Sequence, residues 1–285
     1  MMPDSIVMIL ALLLIITATV LLLLLRWHLQ HRSLKRQRAG VSLLALLRNL
    51  IAELQRHRGL STGLLRGDKS LNSDLQQARY RIDAHLQQAD KFSAFIHGNE
   101  RWLGITDHWS RLGGKSQHVT PENNLLQHNR MIGNLIFLAE DVADSLHLSD
   151  MNPQLSYQPY IWREVIQAAE WAGQARALGT GIAAAGQSSA QERIRMRFLR
   201  DKIQSLSDAA FAMLRHKSAD KSRFNLLEPE AAVCSLLQCI EEELLCNEIT
   251  AIAPKSYFAQ ATLTIDALFV LVDVALEHLE HELGC

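Results

Sequence analysis

Little in this sequence could fix it by covalent or metal chemistry. Four cysteines in 285 residues cannot supply a disulfide scaffold. Cys234, Cys239 and Cys246 also lack the C-x-x-C spacing of zinc and redox sites. They read as small core or surface residues in a reducing compartment. Glycine (14) and proline (6) are too sparse for a collagen-like or low-complexity chain, and the charged fraction (21%) is too low for a disordered one. No charge sign dominates: 29 basic residues face 30 acidic ones, so no overall basic field exists to grip nucleic acid. A phosphate-binding glycine loop, an H-E-x-x-H pair and a nucleophile elbow are all missing, which leaves an enzyme without a supporting constellation. His278 and His281 lie one turn apart with Cys285 beyond, but on what reads as a charged, solvated helix end. Neither a metal nor a cofactor is expected.

What is present is apolar, at 48% of residues, and its arrangement is informative. Residues 6–25 form an uncharged run of 20 in which Thr17 and Thr19 are the only polar members. As a helix it would span about 30 Å, the thickness of one hydrocarbon core. Only Asp4 is charged before the run, whereas Arg26, Arg32, Lys35, Arg36 and Arg38 follow it. A cleaved leader needs the opposite polarity. Residues 1–26 are therefore expected to be a membrane anchor and 27–40 a basic juxtamembrane arm against the lipid bilayer, with Trp27 at the interface. Positive residues stay inside, which puts the short N-terminus outside and residues 27–285 in the cytoplasm. Five of the basic residues and one acidic residue precede Gly40, so the remainder carries −5 and nucleic acid is a still poorer partner.

Beyond the arm, apolar residues recur at helical spacing and no alternating strand pattern appears. The pattern predicts helices over 41–66, 70–96, 121–147, 159–185, 189–216, 229–253 and 254–283. Residues 98–120 read as a loop with one short helix around 102–109, and 217–225 as a charged linker. The fold class is all-α, an antiparallel helical bundle read as two bundles that share long helices. An echo at an offset of 118 residues aligns Arg58-Gly-Leu-Ser-Thr-Gly with Arg176-Ala-Leu-Gly-Thr-Gly, so two hairpins share one plan.

Two arginines interrupt apolar faces. One face runs Leu47, Ile51, Leu54, Arg58, Ser61, Leu65, and the other Val165, Ala169, Ala172, Arg176, Gly179, Ala183. A guanidinium stays charged at physiological pH, and burying it unpaired is costly. Each arginine therefore needs an anion. That anion is either an internal carboxylate (Asp83, Glu170, Asp201 or Asp266) or a small exogenous oxyanion among the small residues nearby. Ser61, Thr62 and Thr180 would add neutral donors.

The segment Glu53-Leu-Gln-Arg-His-Arg-Gly-Leu-Ser-Thr-Gly63 resembles the Q-x-x-R-G-L-S-x-G signature of the nitrate- and nitrite-sensing (NIT) domain family. Three further pieces resemble it in order: 128–132 with 141–144, 170–179, and 257–262 with Ile265-Asp266. The likeness covers about residues 41–285. It implies an all-helical sensor of two stacked four-helix bundles, with nitrate or nitrite held by arginines between them. Carried over, Arg58 and Arg176 are the ligand arginines. His57 beside Arg58 is a candidate for tuning the site's charge near pH 6.5, and Arg79 and Arg197 flank the two faces. Residues 255–283 hold no arginine, a departure from what the family leads one to expect.

The expectation is a single-pass sensor in a bacterial inner membrane. It would pass its signal to a separate output protein or through a homodimer. The rival is a membrane-tethered helical scaffold without a small ligand, in which both arginines pair internally. The two differ over Arg58→Leu, which is neutral or stabilising if the free site holds unbalanced positive charge and destabilising if Arg58 is paired.

Overall fold

The structure is a computed structural model that describes residues 4–114, 120–148, 152–217 and 224–284. Among them lie eight long helices. The first, α1 (Asp4–Leu65), is a single unbroken helix of 62 residues. Then come α2 (Asn72–Ala89), α3 (Glu100–Gly114) and α4 (Pro121–Ser145). Helix α5 spans 158–185 and contains a π segment, Ile161–Val165. It is followed by α6 (Ala190–Lys217), then α7 over 227–245, which ends in a second π segment, Ile240–Leu245, and finally α8 (Pro254–Leu283).

Local chemistry sets the ends. Thr120 caps α4 by accepting from the Asn123 amide, and Pro121 fills the first helical position, where its missing N–H costs nothing. Ser189 and Glu192 form a reciprocal capping box at the start of α6: the Glu192 amide donates to Ser189 Oγ, and the Ser189 amide donates to the Glu192 carboxylate. Helix α5 stops at Gly186, whose φ of 68° suits a residue without a β-carbon.

The first four helices form one bundle and the last four a second. Leu43, Leu44, Leu47, Leu50, Ile51 and Leu54 of α1 are all but completely buried. Burying each such side chain contributes about 2 kcal/mol. The neighbours of α1 can be read from its polar contacts. Arg38 Nε donates to the Leu283 carbonyl and Arg48 bonds Asp273, so α8 runs antiparallel to it. Gln37 donates to the Leu146 carbonyl and Asn124 donates to Ser61, which makes α4 antiparallel as well. Gln55 bonds Glu170 and Arg58 lies against Gly173, both at an offset of 115 residues. The equal offsets mean that α5 runs parallel to α1, and the two bundles meet along this seam.

Four expectations about the elements are corrected. The helix expected over 41–66 begins far earlier, because α1 runs unbroken through residues 27–40, and side-chain burial begins at Gln37. The helix expected over 70–96 ends at Ala89 and resumes as two single turns, Asp90–Phe92 and Ser93–Ile96. The loop expected over 98–120 is mostly the helix α3, because Trp102, Ile105 and Trp109 share one inward face and Gly104 is exposed. Helix α7 stops at 245. The segment after it is held instead by backbone bonds from Ser188 to Glu248 and from Thr250 to Gly186. Residues 218–223 of the expected linker lie outside the described residues.

The apolar part of α1 is long and hydrophobic enough to cross a membrane, and none of its most apolar stretch is buried within the fold. Helix α8 passes the same test of length and composition, but half of its stretch is buried in the second bundle.

Candidate functional site

Where α1, α5 and α8 converge they leave a cavity of about 110 Å³. Its walls include Arg58, Thr62 and Arg66 from α1 and its end, Arg176 and Thr180 from α5, and Phe258 from α8. On α1 the lining residues stand at i, i+4 and i+8, and on α5 at i and i+4, which is one helix face each. The two Arg–Thr pairs of the echo thus line a single space. The sequence offset is 118 and the spatial offset is 115, so Arg176 sits about one turn beyond Arg58. That stagger keeps two guanidinium groups from facing each other directly.

Arg58 is 1% exposed. Its Nη1 donates to Glu170 Oε1 at 2.5 Å and to Asn129 Oδ1 at 2.7 Å. Glu170, itself buried, also accepts from Gln55 and from Gln174. Of the four internal carboxylates considered, Glu170 is therefore the partner of Arg58. The other terminal nitrogen, Arg58 Nη2, is buried with no partner among the described residues, as is Thr180 Oγ1. Arg176 donates from Nη1 to Thr262 Oγ1 at 2.9 Å and lies 4.9 Å over the Phe258 ring. Among the described residues no carboxylate stands within ion-pair distance of Arg176. Burial and the nearby Arg58 lower its pKa to about 10, partly offset by Asp266 and Glu170. It remains a cation at neutral pH, and an anion beside it would relieve the strain on its charge.

The glycines of α5 are seats. A β-carbon at Gly173 would lie 2.6 Å from Arg58 Nη2, one at Gly179 would overlap the Tyr257 ring, and one at Gly181 would lie 2.9 Å from Arg66 Nη1. Tyr257 uses its seat to donate to the Ala175 carbonyl at 3.0 Å.

Of the candidate residues, the structure brings Arg58, Thr62, Arg176 and Thr180 together. It does not bring Ser61, His57, Arg79 or Arg197 to the cavity. Ser61 faces α4, where Asn124 Nδ2 donates to it and to Thr62. Helix periodicity could not separate Ser61 from Thr62, because adjacent residues straddle the boundary between the two bundles. His57 is neither on the surface nor in the cavity but buried against His128 and Trp109. The Asn124 carbonyl can only accept, so His128 Nδ1 carries the proton and His57 Nδ1 donates to His128 Nε2. Burial, with Arg79 adding to it, lowers the His57 pKa to about 4, and burial lowers that of His128 to about 3. His57 therefore has no charge to tune near pH 6.5. Arg79 lies on α2 and Arg197 is exposed on α6. His278 is buried and meets Tyr157, rather than lying on a solvated helix end.

Sequence reading missed Arg66, Phe258 and Thr262. Arg66 could have been found from its spacing of two turns from Arg58. Phe258 and Thr262 could not, because only the tertiary fold brings α8 to α5.

Two four-helix bundles joined along a parallel seam, with an arginine-lined cavity at the junction, define an all-helical protein of two bundles. Residues 49–280 match the family model described as nitrate and nitrite sensing, and the chain belongs to that NIT family. A solved structure, that of the NasR transcription antiterminator, superposes with a TM-score of 0.63 at 19% identity, over 94% of this chain and 74% of that one. The likeness is one of fold. No curated protein sequence matches the chain.

Proposed function

We propose that the chain is a membrane-anchored, non-enzymatic sensor that binds a small planar anion, nitrate or nitrite, in the cavity between its bundles. One observation carries this reading: a cavity of about 110 Å³ is lined by a partly buried arginine without a carboxylate, Arg176, and by Arg58 and Thr180, each with a buried polar atom that has no partner among the described residues, Nη2 and Oγ1. Buried donors left unpaired are costly, and a planar oxyanion would satisfy them together. The family description supports the choice of anion. Because α1, α5 and α8 all border the cavity, an anion that prefers one packing of these helices would shift their arrangement. The signal passes to a separate output protein or through a homodimer. The Arg58–Glu170 pair favours the rival scaffold for Arg58 alone, since Arg176 has no such partner.

The test is a thermal melt of the full chain in detergent with millimolar nitrate, nitrite, chloride or sulfate. Free ligand at about 100 times its Kd adds about 2.7 kcal/mol, a shift of a few degrees. A selective rise with nitrate or nitrite that vanishes in Arg176→Ala supports the sensor. Equal curves in all four salts leave the scaffold.

The anchor reading places the span of α1 in a bacterial inner membrane, with the N-terminus outside and the bundles in the cytoplasm, on the strength of the basic residues that follow the run. Cysteine-accessibility labelling in intact cells checks it. A residue added before position 4 should react with an impermeant maleimide, whereas Cys234 and Cys246, both exposed on the fold, should not.

A further inference from the structure

The lining residue left without a role is Arg66. It stands two turns beyond Arg58 on the same face of α1, and its amide closes the final helical turn on the Thr62 and Gly63 carbonyls. Gly67 follows with a φ of 103°, which turns the chain away immediately after Arg66. The simplest role for a cation here is to complement the negative end of the helix dipole, for which any outward direction would serve. Arg66 instead lies across α5, with its terminal nitrogens 2.9 and 3.3 Å from where a Gly181 β-carbon would be. Arg58 and Gly173 stand in the same relation eight residues earlier, at the same offset of 115. The seam thus repeats one device twice, an arginine of α1 seated on a glycine of α5.

The two arginines differ in exposure and in charge balance. Arg58 is 1% exposed and balanced by Glu170, whereas Arg66 is exposed, and among the described residues no carboxylate stands within ion-pair distance of it. Arg66 and Arg176 therefore supply the two unbalanced positive charges around the cavity, one exposed at its solvent end and one partly buried. This also bears on the last helix, which carries no arginine. Helix α8 contributes Phe258 and Thr262 as neighbours of Arg176, and the second free cation comes from the end of α1.

We propose that Arg66, seated on Gly181, is a ligand-binding residue that closes the solvent end of the cavity over the bound anion and supplies its second free positive charge. This inference rests on the anion-sensor reading above and adds to it a residue outside the family signature.

Two variants of the full chain in detergent, titrated with nitrate and with nitrite by calorimetry at fixed ionic strength, test it. Arg66→Gln removes the charge. A charge-assisted bond of this kind is worth a factor of about ten or more in affinity, so Kd should rise at least about tenfold. Gly181→Ala leaves Arg66 in the chain but places a methyl group against its guanidinium, whose flexible end can swing away. It should weaken binding as Arg66→Gln does. Because alanine is the better helix former, it should hold or raise the melting temperature of the ligand-free protein, so weaker binding cannot be laid to misfolding. If both variants bind within about twofold of the parent, Arg66 serves only the helix terminus and the inference is overturned. If the parent binds neither anion, the sensor reading fails and takes the role of Arg66 with it. Binding by the parent but not the variants supports both.

Discussion

At the residue scale, the decisive fact is that Arg58 has a carboxylate and Arg176 does not. Arg58→Leu strands the buried Glu170 with only its two glutamine donors, so it should destabilise the ligand-free protein by about 3–5 kcal/mol. This replaces the neutral outcome expected for an unbalanced site. Urea denaturation of Arg58→Leu, Glu170→Leu and the double variant checks it, since the double variant should recover much of the loss that each single one suffers. The histidine pair yields a pH prediction. Below pH 6.5 the unfolded chain takes up protons that the folded His57 refuses until about 4 and His128 until about 3. Stability from the pair is complete above 6.5 and drains away as pH falls through this window, at about 1.4 kcal/mol per unit for each group. Denaturation midpoints between pH 7 and 4.5 should show that slope, and the double variant His57→Phe, His128→Leu should flatten it. An equal slope in parent and variant would contradict the assignment. Arg58 and Arg176 stood out in the sequence because a charge on an apolar face is a local anomaly. Glu170 could only be named among four carboxylates, because choosing a partner needs the fold. The environment of His57 was illegible for the same reason, since the imidazole that it meets lies 71 residues away.

At the scale of the element, α5 is built around what must lie upon it. Gly173→Ala drives a methyl group to 2.6 Å from Arg58 Nη2, while Nη1 of the same guanidinium holds Glu170. It should destabilise by about 2–4 kcal/mol, as breaking a buried pair does. Gly59→Ala on α1 meets nothing within 4 Å and should add about 0.5–1 kcal/mol. Thermal melts of the two variants side by side separate a glycine needed for space from one that is not. The helix ends written in local chemistry were legible, notably Pro121, a serine cap at 188 or 189 that the fold assigns to Ser189, and Pro254. Helix α3 was hidden by its glycines, of which Gly104 is open to solvent and not needed for space, and the end of α7 is set by pairing with the distant 186–188 segment.

For the whole molecule, the junction matters more than either bundle. If the anion sits in the cavity, millimolar nitrate should slow amide hydrogen exchange in both 55–66 and 173–181, one stretch from each bundle. Protection confined to one of them would place the ligand elsewhere. The all-helical class and the pairing of bundles were legible from periodicity and the echo. The parallel α1–α5 seam was not, because two helices 115 residues apart carry no local sign of register. One feature of this architecture reaches beyond the bundles. Trp27 and Arg58 lie on the same unbroken helix, about 46 Å apart along its axis. No proline, π turn or loop interrupts the shaft between them, so no joint exists to absorb motion. A twist or slide imposed on α1 at the cavity is delivered whole to the end that carries the apolar run, which makes the first helix a drive shaft as well as a wall of the site.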